Sequence, residues 1–136
     1  RLTQIDCMNS KISNAAIMGL QGVLSLAFMG AGTMKVITPY AELTQDPSMG
    51  WALDFSEGAI MAIGATEFIF ALGLGLSFFV GSLQKWTSVF AVGLACVMMG
   101  AAYTHIGRGE PFTPNIVLFL MGAVVAFARK DRLKSA

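Results

Sequence analysis

Charge is scarce in this sequence: Asp, Glu, Lys and Arg make up 12% of its 136 residues, against 55% hydrophobic residues. That leaves too sparse a polar surface for a soluble domain of this length, so lipid must be the solvent for much of the chain. No run of like charge occurs and the net charge is +1, which removes nucleic acid and acidic substrates as expected partners. Histidine occurs once and cysteine twice. With Cys7 ahead of the first apolar run and Cys96 well inside the third, no set of three or four metal ligands is expected, and no internal disulfide. Cys-x-x-Cys is missing, which takes away thiol-disulfide chemistry. The lack of a histidine pair within the apolar runs excludes a bis-histidine haem held by this chain alone. Nothing resembles a nucleotide-binding loop or a hydrolytic triad. The sequence therefore assigns no catalytic residue, no metal and no intrinsic cofactor.

What is there is apolar length. A hydrocarbon core of roughly 30 Å takes about 20 helical residues per crossing, so four crossings nearly use up the chain. The expected fold is all-α: an integral membrane four-helix bundle forming a single domain over residues 1–136, with helices at about 15–37, 58–80, 86–105 and 112–128. Ser13 or Asn14 is the expected N-cap of the first helix, and Pro39 closes it. Residues 38–55 read as an outer loop, acidic and carrying Tyr40, Trp51 and Phe55, rings suited to a membrane interface. Arg1, Lys11, Lys85, Arg129, Lys130, Arg132 and Lys134 fall on one side of these spans, and only Lys35 and Arg108 on the other. By the positive-inside rule both termini are cytoplasmic. The expected location is a bacterial inner membrane.

Helical spacing predicts which faces pack. On the second helix Glu67 shares a face with Ile60, Gly64, Ala71, Leu74 and Gly75. The first helix offers Gln21, Ser25, Phe28, Gly32 and Lys35, and the third Gly93, Val97, Gly100 and Thr104. Glu67 lies ten residues inside Glu57, about 15 Å deep. An ionisable group at that depth is by default of functional interest. Lys35 sits at the outer end of its helix, so a direct Lys35–Glu67 ion pair is not expected, and Ser25 is the better level-matched neighbour. Glu67 is then either protonated or held by hydroxyl groups and trapped water. Its first reading is polar glue between helices; partner or cofactor contact and proton-coupled transport follow. Lys35 reads as a snorkelling anchor, and after that as a contact for a phosphate or quinone head. His105 reads as a hydrogen-bonding group at a helix end, beside Thr104, Arg108 and Glu110.

Several segments together resemble the DoxX-like family of small four-helix membrane proteins. Gly30-Ala-Gly-Thr-Met-Lys35 is similar to that family's Gly-x-x-Lys at the end of helix one, and Gly64-Ala-Thr-Glu67 with Ala71-Leu-Gly-Leu-Gly75 to its helix-two signature. Gly100-Ala-Ala-Tyr-Thr-His-Ile-Gly-Arg-Gly-Glu110 and Ala126-Phe-Ala-Arg129 complete the pattern in order. The resemblance implies kinship with subunits of a thiosulfate:quinone oxidoreductase and with partners in redox or assembly complexes. It marks Lys35, Glu67 and His105 as positions of interest and supplies no catalytic role for them.

The functional expectation is a non-catalytic accessory subunit that contacts membrane lipids and larger membrane-protein subunits through small-residue faces. Two alternatives stand beside it. One is a quinone-linked oxidoreductase subunit with quinone or lipid contact near Lys35; the other is a small proton-coupled transporter using Glu67.

Overall fold

The computed structural model describes residues 2–135. Arg1, one of the cations counted above, lies outside them. Every element among the described residues is helical. The long helices are α1 (Leu2–Ile37), α3 (Glu57–Leu76), α5 (Thr87–Arg108) and α6 (Thr113–Arg129), with short turns α2 (Tyr40–Leu43) and α4 (Gly81–Gln84) between them. Three of the four, α1, α3 and α5, are long and apolar enough to cross a membrane. At 17 residues, α6 spans about 25 Å.

α1 packs antiparallel to α3, and α5 to α6; contacts of α3 with α5 and of α1 with α6 close the arrangement. Leu24 and Phe28 of α1, Ala71 and Leu74 of α3, Ala91, Leu94 and Met98 of α5, and Val125 and Ala126 of α6 meet in one core. α3 and α5 interlock by rings on glycines. A Cβ on Gly73 would stand 2.7 Å from the Phe90 ring, and one on Gly93 2.7 Å from the Phe70 ring.

Several boundaries differ from those expected. α1 begins at Leu2, not near Ala15, so Ser13 and Asn14 lie inside a continuous helix and neither is its N-cap. Residues 2–14 hold no Gly or Pro, and a capping residue does not start a helix where the residues before it are themselves helix-compatible. Residues 3–16 are exposed, so this first stretch projects beyond the core. α3 stops at Leu76 rather than Val80. Its C-cap Ser77 turns its hydroxyl back to the Leu74 carbonyl at 2.7 Å, and Phe78 donates to Gly75 in a tighter turn.

Residues 38–55 are not an irregular loop. After Pro39 comes α2, and Pro47–Asp54 forms a 3-10 segment with Asp46 as N-cap, its carboxylate accepting from the Ser48 amide at 2.8 Å. Leu43, Met49 and Ala52 close over Ile60 of α3 as a second small core, and the Tyr40 hydroxyl donates to the Phe55 carbonyl at 2.8 Å. This cap covers one end of the helices; the described termini lie at the other.

Candidate functional site

The site begins with an unusually close helix contact. A Cβ on Gly32 would lie 2.5 Å from the Gly64 carbonyl oxygen, and one on Gly64 would lie 2.6 Å from the Lys35 Cβ. Only hydrogen at both positions lets the two backbones approach this far. Lys35 is three residues beyond Gly32 and Glu67 three beyond Gly64 on the antiparallel partner, so both side chains project at the crossing. Lys35 Nζ donates to Glu67 Oε2 at 2.7 Å, with Glu67 1% and Lys35 8% exposed.

This ion pair overturns the expectation that Lys35 is too far from Glu67. The cause is an offset between the helices. α3 runs seven residues, about 10 Å, past the level of Lys35 before reaching Gly64, and the cap packs around that extension. Depth measured from the start of α3 therefore placed Glu67 too far below Lys35. The Lys35 side chain also leans toward the N-terminus of its helix, as helical side chains do, which carries its amine toward Glu67.

Ser25 is not the partner of Glu67. Its hydroxyl donates to the Ala71 carbonyl at 2.8 Å, one turn further along α3, and a Cβ on Gly75 would meet that hydroxyl at 2.5 Å. Gln21 continues the seam, its amide donating to the Leu74 carbonyl at 3.0 Å and to the Ser77 hydroxyl at 2.8 Å. Gln21, Ser25, Phe28, Gly32 and Lys35 are all buried, so the polar stripe of α1 forms one joint with α3.

From the ion pair the site extends into the cap. Lys35 Nζ stands 5.9 Å from the centre of the Trp51 ring, within reach of a cation–π attraction. Trp51 meets Phe55 and His105 edge to face, at 5.9 and 6.2 Å. His105 Nδ1 pairs with Glu110 Oε2 at 2.8 Å. Arg108 then joins Glu110 Oε1 through Nε at 2.7 Å and both Asp54 oxygens through Nη1 at 2.9 Å. Gly109 makes this possible. At φ +68° it ends α5 in the left-handed conformation, with Glu110 N–H bonded to the His105 carbonyl and Gly109 N–H to that of Ile106, a Schellman arrangement that folds Glu110 back on the helix end. The Arg108 hydrogen bond, followed by that from His105, holds the Glu110 carboxyl below its ordinary value.

A cavity of about 140 Å³ lies next to the ion pair, walled by Lys35, Thr38, Tyr40, Leu43, Glu57 and Ile60. Among the described residues no group of three or more His, Cys, Asp or Glu is placed to hold a metal ion. Among the described residues no hydrogen bond or ion pair joins His105 to Lys35 or Glu67; Trp51 is the ring that both Lys35 and His105 meet.

α5 does not pack as its glycines implied. Its buried positions are Thr87, Ser88, Ala91, Leu94, Ala95, Met98 and Ala102. Gly100 is exposed and a Cβ there would meet nothing within 4 Å, because the alanine stripe, two positions out of phase, already gives the close approach. Gly93 is half-buried under Phe70, and Gly64, Ala71 and Gly75 lie along the α1 seam. Trp51 and Asp54 escaped notice as site residues, and Glu110 stood out only as a neighbour of His105. The Arg-Gly-Glu sequence at 108–110 held a usable signal, since glycine just past a helix end commonly turns the next side chain back.

No curated protein and no solved structure matches the chain. The family model described as the DoxX-like family matches residues 19–129. That match takes in the α1–α3 joint, the ion pair and His105 with its carboxylate, and the chain belongs to the DoxX-like family.

Proposed function

We propose that this protein is a non-catalytic accessory subunit of a larger membrane complex, of a redox or energy-transducing kind. In this reading it crosses a bacterial inner membrane four times as a helix bundle, with both termini cytoplasmic and the cap outside. The observation that carries the reading is the closed Lys35–Glu67 pair at 2.7 Å. The two ionisable groups at depth serve each other across a helix joint, which is what polar glue in a membrane protein does. The outward faces fit the same role: Leu26, Ile69, Tyr103 and Phe127 are mostly exposed, leaving apolar surface for lipid and for neighbouring subunits.

Native mass spectrometry of protein extracted gently from its own membrane, with an absorption spectrum of the same sample, tests this. Larger subunits are expected to co-purify, and Gly64→Leu is expected to strip them away. A monomer or dimer with no other subunit would overturn the accessory reading.

A second reading, a quinone-linked redox subunit, draws on the 140 Å³ cavity with Lys35 in its wall, room for part of a polar head group next to a cation. Under it, Glu67→Gln abolishes quinone reduction in a protein that still folds, whereas normal turnover in that variant dismisses it.

A further inference from the structure

Arg129, the last residue of α6, is a cation in an unusual state. It is 8% exposed, and its one hydrogen bond runs from Nη1 to the neutral Asn14 side-chain oxygen at 2.6 Å. Its Nε and Nη2 are buried without any acceptor among the described residues. A buried guanidinium is costly unless an anion and further hydrogen bonds compensate it. Lys35, the other buried cation, has such an anion.

The surroundings of Arg129 supply more positive charge. The Ser88 hydroxyl donates to the Ala126 carbonyl at 2.8 Å, which sets the first turn of α5 next to the last turn of α6. Lys85 and Trp86, with the Lys85 amine 5.9 Å from the indole centre, therefore stand at the level of Arg129. Lys130 and Arg132 follow directly in sequence. The acid of this stretch, Asp131, is already paired with Lys134 at 3.4 Å. Trp86 is half-exposed, as interfacial tryptophans are, and the end of an apolar helix is the depth at which lipid phosphates lie.

We propose that Arg129 is the anchor of a binding site for an anionic phospholipid, whose phosphate takes the place of the Asn14 carbonyl on the guanidinium. Guanidinium and phosphate match as a planar fork to two oxygens. Asn14 is exposed, so the approach from the membrane surface runs through it. Lys85 stands at the level of the head group and the Trp86 ring borders the upper acyl chain, while the Lys130 amine lies 3.8 Å over the Phe127 ring.

The test is native mass spectrometry of the purified full chain in detergent with added phosphatidylglycerol or phosphatidylcholine. Wild type is expected to retain phosphatidylglycerol about tenfold better, and to keep most of that preference in 0.5 M NaCl, where a diffuse basic surface would be screened. Arg129→Gln is expected to lose the preference, Arg129→Lys to lose most of it, and Lys134→Gln to keep it. Equal retention of the two lipids by wild type overturns the proposal without recourse to any variant. So does an undiminished preference in a folded Arg129→Gln, and displacement of the lipid by excess inorganic phosphate would assign the seat to a free anion instead.

Discussion

Lys35 and Glu67 each bury a charge that the other neutralises, and the consequence is asymmetric. Removing one partner strands an uncompensated charge, at a cost of about 3–5 kcal/mol, while removing both restores an apolar joint. Lys35→Met and Glu67→Gln are each expected to lower the melting temperature in detergent markedly, and the double variant to recover a large part of the loss. A double variant as unstable as the sum of the two would mean that the residues act independently. Glu110 has a different signature. Arg108 and His105 hold its carboxyl below the ordinary 4.5, so its contribution to the folded cap is complete above that value and is lost as pH falls through the lower, folded one. Acid titration of Trp51 fluorescence should therefore show the cap loosening below about pH 4.5, and Glu110→Gln should remove that transition. At this scale the sequence was legible in identity and not in pairing. Lys35, Glu67 and His105 stood out as polar groups in apolar runs, yet their partners depend on how far one helix slides past another, which no periodicity encodes.

At the scale of elements, the helices were legible because each apolar run is far longer than a turn needs, and the small-residue stripe of α1 against α3 followed from spacing alone. The stripe of α5 did not. Gly93 and Gly100 invited one face, whereas Ala91, Ala95 and Ala102 define another, and alanine allows nearly as close an approach without weakening the helix. The two glycine classes should respond oppositely to the same change. Gly64→Ala forces a Cβ to within 2.6 Å of the Lys35 Cβ and 2.8 Å of the Gly32 carbonyl oxygen, so α1 and α3 must part and the ion pair lengthens; a loss of several degrees in melting temperature is expected. Gly100→Ala meets only open space and gains helix propensity worth up to about 1 kcal/mol, so its melting temperature should hold or rise. Equal losses in the two variants would place α5 against a neighbour not present in this chain alone.

For the whole molecule, the cap was the least legible part, since its 3-10 segment depends on Asp46 and Pro47 starting a turn and on Leu43, Met49 and Ala52 finding Ile60, a contact between distant segments. Its placement bears on sidedness. The charge asymmetry puts Lys11, Lys85, Arg129, Lys130, Arg132 and Lys134 at the end opposite the cap, and positive charge near short loops is retained on the cytoplasmic side. At the capped end Lys35 and Arg108 are bound to carboxylates, so little free positive charge remains there to hold that end inside. Cys7, which is free and exposed, provides one reporter. Ser48, exposed in the cap at the other end, provides a second when changed to Cys in a Cys7→Ser background. A membrane-impermeant maleimide added to intact cells is expected to label the Ser48→Cys protein and not wild type through Cys7, with the pattern reversed in inside-out vesicles. Labelling of Cys7 in intact cells would invert the topology. The cap and the cavity by Lys35 would then face the cytoplasm, and the redox reading would have to draw its polar substrate from there.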